Sequence, residues 1–364
     1  MSFALNPSKA KLISIFGSTG TIGVNTLKVL KNSDIQIECL AANKNYELLN
    51  EQIQEYKPKL VFANKDILHL IKHKEAYDIN ELERHFASLK SDGIVNAIVA
   101  FAGLKLSLLT QKYNKKLYLA NKESLLVAGK FLDTSKISPI DSEHSALAAL
   151  LRSVAYPKKI TITASGGTFF KQEDCKNLKA KDALKHPNWQ MGAKITIDSA
   201  TMANKLFELV EAKHLYKDLE LDALIEPSSL IHAFCECKNN SITAYFSVPD
   251  MKLSIANALF KEDSKAHCNA LDLLKIKNLS LYEIDEKKYP IYSLKNELLK
   301  NLDLGVIINA ANEVYVEKYL KDECGYYDIY YAIMKALDKF CTCKIDTIED
   351  VFTIDNKVRG FLNG

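Results

Sequence analysis

Residues His186 to Tyr216, HPNWQMGAKITIDSATMANKLFELVEAKHLY, gather groups that can do chemistry. The stretch holds the single tryptophan of the chain, Trp189, three residues after an imidazole, His186. Ser199, Asn204, Lys205 and Glu208 follow. A helix that only packs does not need a hydroxyl, an amide, an ammonium and a carboxylate in this order. Asn204 and Glu208 are four residues apart and share one helix face, with Lys205 beside them. Hydroxyl, amide and ammonium near a helix N-terminus suit a phosphate. Glu208 then becomes a candidate ligand for a hard divalent cation. Glu211 lies off that face and is expected to be solvated.

A second acidic group precedes it. Asp141-Ser142-Glu143-His144 lies between a strand, Ile137 to Ile140, and an apolar helix, Ala146 to Val154. Two carboxylates on one turn can converge on a cation, or can simply favour the positive end of the helix. A divalent ion collects several oxygens, so Glu208 as a third donor would favour the metal. Asn121-Lys122-Glu123-Ser124 also follows a strand, at the end where ligands of α/β sheets bind. Lys122 there can reach cofactor or substrate, and a polar helix cap is the alternative. Ser165-Gly166-Gly167-Thr168 allows close backbone approach to an anion, or a hinge. Phe169 to Lys185 shows no firm period and reads as a long loop of the kind used for lids. His186, Trp189 and Met191 would be carried at its far end.

The elements that must position these groups begin with a nucleotide-type turn. Lys11 to Phe16 reads as a buried strand, Gly17-Ser18-Thr19-Gly20-Thr21-Ile22-Gly23 as a glycine-rich turn, and Val24 to Leu30 as a helix. Glycines admit a pyrophosphate to the backbone, and the helix N-terminus supplies donors. The next strand, Ile35 to Ala42, ends in Asn43-Lys44-Asn45. Glu38 lies within the strand, not at its tip, so no acid is placed for free ribose hydroxyls. A lysine between two asparagines suits a 2′-phosphate, which favours NADPH over NADH.

Helix and strand alternate onward: helix at Glu47 to Tyr56, strand at Lys59 to Ala63, helix-rich charged sequence at Ile67 to Lys90. A strand at Gly93 to Ala100, a helix at Leu104 to Tyr113 and a strand at Lys116 to Ala120 complete a doubly wound parallel sheet. Lys158 to Ala164 alternates as a strand. Asp198 and Ser199 read as a strand end and N-cap, with a helix from Ala200 to Lys213. Ala223 to Ile225 and Leu230 to Tyr245 read as further strands. From Ile291 the chain is helical, and Asn309 to Glu313 reads as a helix start. The fold expected is α/β: a Rossmann-like N-terminal sheet, an α+β catalytic domain and a C-terminal helical bundle.

At 364 residues, two or three domains are expected. A net charge of +3 gives no electrostatic case for nucleic acid or an anionic membrane. No apolar run approaches the roughly 20 residues of a membrane span. No signal peptide is read at the N-terminus, and the eight cysteines are scattered, which suits reduced thiols in a cytoplasm. The C-x-C pairs Cys235/Cys237 and Cys341/Cys343 lack the ligand spacing of a zinc finger.

In their order, the motifs GSTGTIG, LANKESL, PIDSEHSAL, ASGG, HPNWQMG, KITIDSATMANK, HAF, VPDM and INAANE resemble the 1-deoxy-D-xylulose 5-phosphate reductoisomerase family, over most of the chain. The resemblance implies rearrangement of the ketose phosphate and its NADPH-dependent reduction to 2-C-methyl-D-erythritol 4-phosphate, a step in non-mevalonate isoprenoid precursor synthesis. It implies that Asp141, Glu143 and Glu208 hold Mn²⁺, Mg²⁺ or Co²⁺. Ser142, Glu143, Ser165, Ser199, Asn204, Lys205 and Glu208 match substrate positions, with Ser165, Ser199, Asn204 and Lys205 at the phosphate. Lys122 matches a residue near substrate and nicotinamide, and His186 and Trp189 match the lid. Gly17 to Gly23, Asn43, Lys44, Asn45, Asn121, Lys122, Glu123, Met191 and Gly192 match the NADPH site. The family pattern implies a homodimer and four parts: an NADPH domain (1–137), a catalytic domain (138–264) with a lid (166–193), a linker (265–288) and a helical domain (289–364).

Some positions depart from the pattern. Asn43 stands for a glycine, Ala100-Phe101 for Gly-Ala, Thr168 for a proline, Glu226 for a histidine and Ser254 for a proline. A looser lid hinge is expected from Thr168. A plain NADPH dehydrogenase and a non-catalytic nucleotide-binding regulator are the alternatives. Neither needs three converging carboxylates.

Overall fold

The structure, a computed structural model, describes residues 11–31, 33–173, 175, 178–260 and 266–364. Two compact units are present. The first comprises Met1–Asn121, Leu132–Ser145 and Asp250–Asn269; the second comprises Lys122–Phe131, Ala146–Pro249 and Ala270–Gly364. Among the described residues, no helix is long and apolar enough to cross a membrane.

The first unit is built on a seven-stranded parallel sheet. Its strands are β1 (Leu12–Phe16), β2 (Gln36–Ala42), β3 (Leu60–Ala63), β4 (Ala76–Asp78), β5 (Gly93–Asn96), β6 (Lys116–Leu119) and β7 (Ile137–Pro139). Their spatial order is β4-β3-β2-β1-β5-β6-β7. Ile13, Ser14, Ile15 and Phe16 are all fully buried, as a parallel strand covered on both faces requires. The helices are α1 (Thr21–Leu30), α2 (Tyr46–Tyr56), α3 (Lys65–Leu68), α4 (Leu82–Phe86) and α5 (Leu104–Lys112). The chain turns left from β1 to β2 but returns to its other side at β5. That reversal opens a crevice at the carboxyl ends of β1 and β5, the usual ligand position in such sheets.

The second unit holds a four-stranded sheet ordered β11-β10-β8-β9, from β8 (Pro157–Ala164), β9 (Glu220–Ile225), β10 (Ile231–Cys237) and β11 (Ile242–Phe246). Only the β8–β9 pair is parallel. Helix α6 (Lys122–Ala128) belongs to this unit, and α7 (Ser142–Ser153) starts at the end of the first. Then come α8 (Ala180–Ala183), α9 (Ala193–Thr201) and α10 (Ala203–Leu215). Helix α11 (Met251–Leu259) packs in the first unit, where Ile255 and Leu259 share a core with Ile13 and Leu27. The C-terminal helices are α12 (Lys295–Lys300), α13 (Leu304–Leu320), α14 (Asp328–Phe340) and α15 (Ile348–Asn363). Thr347 and Asp350 form a capping box on α15.

Four expectations are corrected. Ala193 to Thr201 is helix α9, not a strand ending at Asp198. Its I-T-I alternation favours a strand, but Asp198 meets Lys194 one turn back at 2.9 Å, a reach that an extended strand does not allow. Met202, at φ 70°, breaks the helix, so α10 starts at Ala203, three residues late. The helix-rich stretch Ile67 to Lys90 contains β4, whose three residues are too few to show alternation. Asn309 to Glu313 lies inside α13, not at its start. That helix is buried almost all round from Leu304 to Asn312, so polar punctuation does not mark its entry.

Candidate active site

In the first unit, Gly17 has φ +87° and a Cβ there would lie 2.4 Å from the carbonyl oxygen of Ala97. A Cβ on Gly23 would meet Gly17 O at 2.3 Å, so α1 sits hard against the turn. The Gly17 and Ser18 N–H groups both donate to Ala41 O at 2.9 Å, which joins the turn to the end of β2. Gly20 and Thr21, at the helix N-terminus, are exposed, with Thr19 and Ile22 half-buried and Ser18 buried. Beyond β2, Asn43 Oδ1 accepts from Asn64 Nδ2 at 3.0 Å, and Asn45 Oδ1 caps α2 through Leu48 N at 3.1 Å. Asn45 thus shapes the backbone and Asn43 ties the turn to Asn64, and the exposed Lys44 between them is the charge of the turn. Glu38 is buried in the sheet, where its carboxylate accepts from Lys90 N at 2.9 Å and Ser91 N at 2.6 Å. It is committed inside the fold and does not serve the strand tip.

The same unit carries the acidic turn. Asp141 Oδ1 accepts from the N–H groups of Glu143 (3.1 Å) and His144 (3.2 Å), so it caps α7. The Ser142 hydroxyl donates to Glu143 Oε2. The capping role therefore holds for Asp141 and fixes the direction of its carboxylate. Asn121 Nδ2 donates to Ile98 O (2.9 Å) and Ala100 O (2.7 Å), bracing the loop after β5.

In the second unit, Glu208 is 1% exposed. Its Oε1 accepts from Lys122 Nζ at 2.6 Å and from Asn204 Nδ2 at 2.5 Å, and its Oε2 pairs with Lys205 Nζ. The shared helix face read from the sequence is real, and it is joined by Lys122 from α6. Glu211, expected to be solvated, is buried at 1% exposure. Helix α10 is covered on more than one side, so its polar face does not coincide with solvent. Ser199 lies in the last turn of α9, while Asn204 and Lys205 lie in the first turn of α10.

His186 stands beside the two serines. Its Nδ1 accepts from the N–H groups of Asn188 (3.2 Å) and Trp189 (3.0 Å). The ring proton therefore belongs on Nε2, which is 3.0 Å from Ser165 Oγ and 3.4 Å from Ser199 Oγ. Burial pushes the imidazole down to about 4, so it is a neutral donor at pH 7. Trp189 is half-buried and meets His232 edge-on at 6.2 Å. Met191 is half-buried and Gly192 exposed.

The long loop is not uniform. Phe169, Cys175, Ala180 and Ala183 are buried. Tyr289 donates to Gly166 O and Tyr319 to Leu178 O, both at 2.8 Å. Thr168 Oγ1 donates to Ala183 O at 2.7 Å, so the residue expected to loosen the hinge ties it. Glu226 is 1% exposed and accepts from the N–H groups of Ser228, Leu230 and Ile231. A carboxylate in that position thus holds the turn that receives Asn188, whose Nδ2 donates to Pro227 O and Ser229 Oγ.

The family model described as 1-deoxy-D-xylulose 5-phosphate reductoisomerase matches residues 13–129, and models of its C-terminal domains match 137–216 and 246–361. The reductoisomerase of Campylobacter lari is 54% identical over 96% of this chain and 98% of its own. That of Campylobacter jejuni is 53% identical over 96% and 99%. The chain belongs to the 1-deoxy-D-xylulose 5-phosphate reductoisomerase family. A crystal structure of a DOX-P reductoisomerase with NADPH, fosmidomycin and magnesium superposes with a TM-score of 0.90, at 30% identity, over 97% of each chain. The Zymomonas mobilis enzyme in complex with NADPH gives 0.85, at 30% identity, over 96% of this chain and 97% of its own.

Sequence reading missed one buried cluster of this chain. Lys194 Nζ lies 2.6 Å from Glu123 Oε1 and 2.9 Å from Asp198 Oδ2. Asn312 Nδ2 donates to Asp198 Oδ1 at 2.7 Å. Asp198 had been read as a strand end, and the i, i+4 spacing of Lys194 and Asp198 was the available signal.

Proposed function

We infer that this chain converts 1-deoxy-D-xylulose 5-phosphate to 2-C-methyl-D-erythritol 4-phosphate with NADPH and a divalent metal, for isoprenoid precursor synthesis. The observation that carries the reading is the buried face of α10. It presents Glu208, a metal-type donor, with Asn204, Lys205 and Lys122, which suit phosphate and substrate oxygens.

Asp141, Glu143 and Glu208, each offering one oxygen, would hold the metal. Three carboxylate oxygens suit a hard ion such as Mn²⁺ or Mg²⁺. When bound, the ion polarises the substrate carbonyl and neutralises charge on its adjacent oxygens. Ser165, Ser199, Asn204 and Lys205 would grip the phosphate and so orient the distant reacting carbons. His186, donating from Nε2, would add a hydrogen bond to this grip. Ser142 and Lys122 would lie along the substrate, and Trp189 would close over it and exclude water.

Gly17 to Gly23, Asn43, Lys44 and Asn45 would hold the nucleotide. Asn121, Lys122, Glu123, Met191 and Gly192 would face its nicotinamide half. A functional division into an NADPH part (1–137), a catalytic part (138–264), a linker (265–288) and a helical part (289–364) accompanies this assignment. The lid is proposed within 166–193.

A cytoplasmic homodimer is proposed with it. Strand β11 is a sheet edge that exposes Ile242 (64%) and Phe246 (40%), and an apolar edge of this kind suits a second copy. Light scattering that gives a monomer mass would reject the dimer.

The deciding experiment follows NADPH oxidation with deoxyxylulose phosphate, with and without Mn²⁺, and identifies the product. No turnover with metal would sink the reading. Turnover that survives chelation would point to a plain dehydrogenase.

A further inference from the structure

We propose that Lys194 is a positioning residue that fixes the C-terminal foot of the lid against the turn carrying Lys122 and Glu123. The inference rests on the reading that places Glu123 and Met191 at the cofactor and Trp189 in the lid.

Lys194 follows Gly192 by two residues and stands in the first turn of α9. Its ammonium bridges Glu123 (2.6 Å) and Asp198 (2.9 Å), and lies 5.4 Å from the Phe207 ring centre. Glu123 is 7% and Asp198 2% exposed. The C-terminal helices back this clamp: Asn312 of α13 donates to Asp198, and the next residue, Glu313, is held by Arg359 of α15 at 2.7 Å. Burial alone would lower the Lys194 ammonium. The charges of Asp198, Glu123 and Glu313 outweigh that effect and hold it well above the usual lysine range.

Buried ion pairs are a weak source of stability, because desolvation offsets the attraction. Their better-attested use is to fix register. Here the register concerns two neighbours on the chain: Glu123 adjoins Lys122, and Lys194 adjoins the Met191–Gly192 foot. Without the ammonium, the lid would still dock through His186 and Asn188, but its foot would not be held opposite the turn. Phosphate capture would survive and hydride transfer would suffer.

The test uses Lys194→Met, Lys194→Arg and Asn312→Ala in the full chain. Turnover is measured with deoxyxylulose phosphate, NADPH and Mn²⁺. Lys194→Met should lower kcat about a hundredfold, the scale of a small misplacement of reacting groups. Its KM for the sugar phosphate should stay near that of the wild type, and Lys194→Arg should recover most of the loss. A second readout needs neither metal nor turnover: quenching of the single tryptophan, Trp189, on titration with NADPH. Its maximal quench should fall in Lys194→Met and, less, in Asn312→Ala. A lower melting temperature with wild-type kcat and wild-type quench would make the cluster merely structural and overturn the proposal. If Lys194→Met does not fold, Asn312→Ala decides, and wild-type kcat and quench there also overturn it. Failure of the functional reading looks different: the wild-type chain itself would not oxidise NADPH with this substrate, and the quench comparison would still judge the clamp.

Discussion

Ala100 occupies a backbone conformation that belongs to glycine. It has φ 67° and ψ −165°, a few residues after β5. Its carbonyl is held by Gly103 N at 3.1 Å and Asn121 Nδ2 at 2.7 Å, so the loop cannot relax without losing both bonds. A non-glycine residue in this region stores about 1–3 kcal/mol. Ala100→Gly removes that strain, while the freer unfolded chain offsets roughly 0.4–1 kcal/mol. The net gain should be about 0–2.6 kcal/mol, with a centre of roughly 1.3. At roughly 2–4 °C per kcal/mol for a domain of this size, the melting temperature should rise by up to about 10 °C. Calorimetry on the purified variant measures it, with Val99→Gly as control. Val99 is exposed and its φ is not positive, so glycine there brings only the entropic loss and should lower the melting temperature. If Ala100→Gly falls as Val99→Gly does, the strain argument is wrong.

Gly17→Ala should act in the opposite sense, because its Cβ would lie 2.4 Å from Ala97 O at φ +87°. A loss of about 1–3 kcal/mol and weakened NADPH binding are expected, and unchanged NADPH affinity by titration would refute the tight turn. Glu208→Gln should sharply reduce metal-dependent turnover while sparing NADPH binding. Unchanged kcat over a Mn²⁺ titration would remove Glu208 from the metal set. Burial lowers both His186 and His214 to about 4 in the folded chain, against about 6.5 in the unfolded one. The unfolded state then binds more protons between these values. Their contribution is full above pH 6.5 and is lost as pH falls through 4. His186→Asn should flatten melting temperature against pH over that window, and an unaltered slope would show that His186 is not held neutral.

Legibility from the sequence followed the range of the interactions. The β1 turn was legible because strand, glycines and helix are contiguous, and Gly17 and Gly23 each answer a local steric demand. The choice of NADPH was legible because Glu38 falls mid-strand; the structure adds that Glu38 braces Lys90 and Ser91. The α10 face was legible from i, i+4 spacing, although its start was misplaced by three residues. Helix α9 was misread because isoleucine and threonine favour strands, whereas the burial of its Thr196, Ile197 and Ala200 depends on segments distant in sequence. The buried state of Glu211 and the anchoring by Thr168 were also hidden. Both depend on chain segments distant in sequence or on packing all round a helix.

The sequence by itself determined the types of donor, their short-range spacing and the family they imply. Those are properties of neighbouring residues, and neighbours are fixed by covalent geometry. Only the tertiary structure decided that Lys122 meets Glu208 across 86 positions, that His186 carries its proton on Nε2, and that α13 reaches Asp198 through Asn312. Such pairings arise when packing brings remote segments together. A buried charge or imidazole then takes the partner that packing supplies, and no local pattern records which one that is.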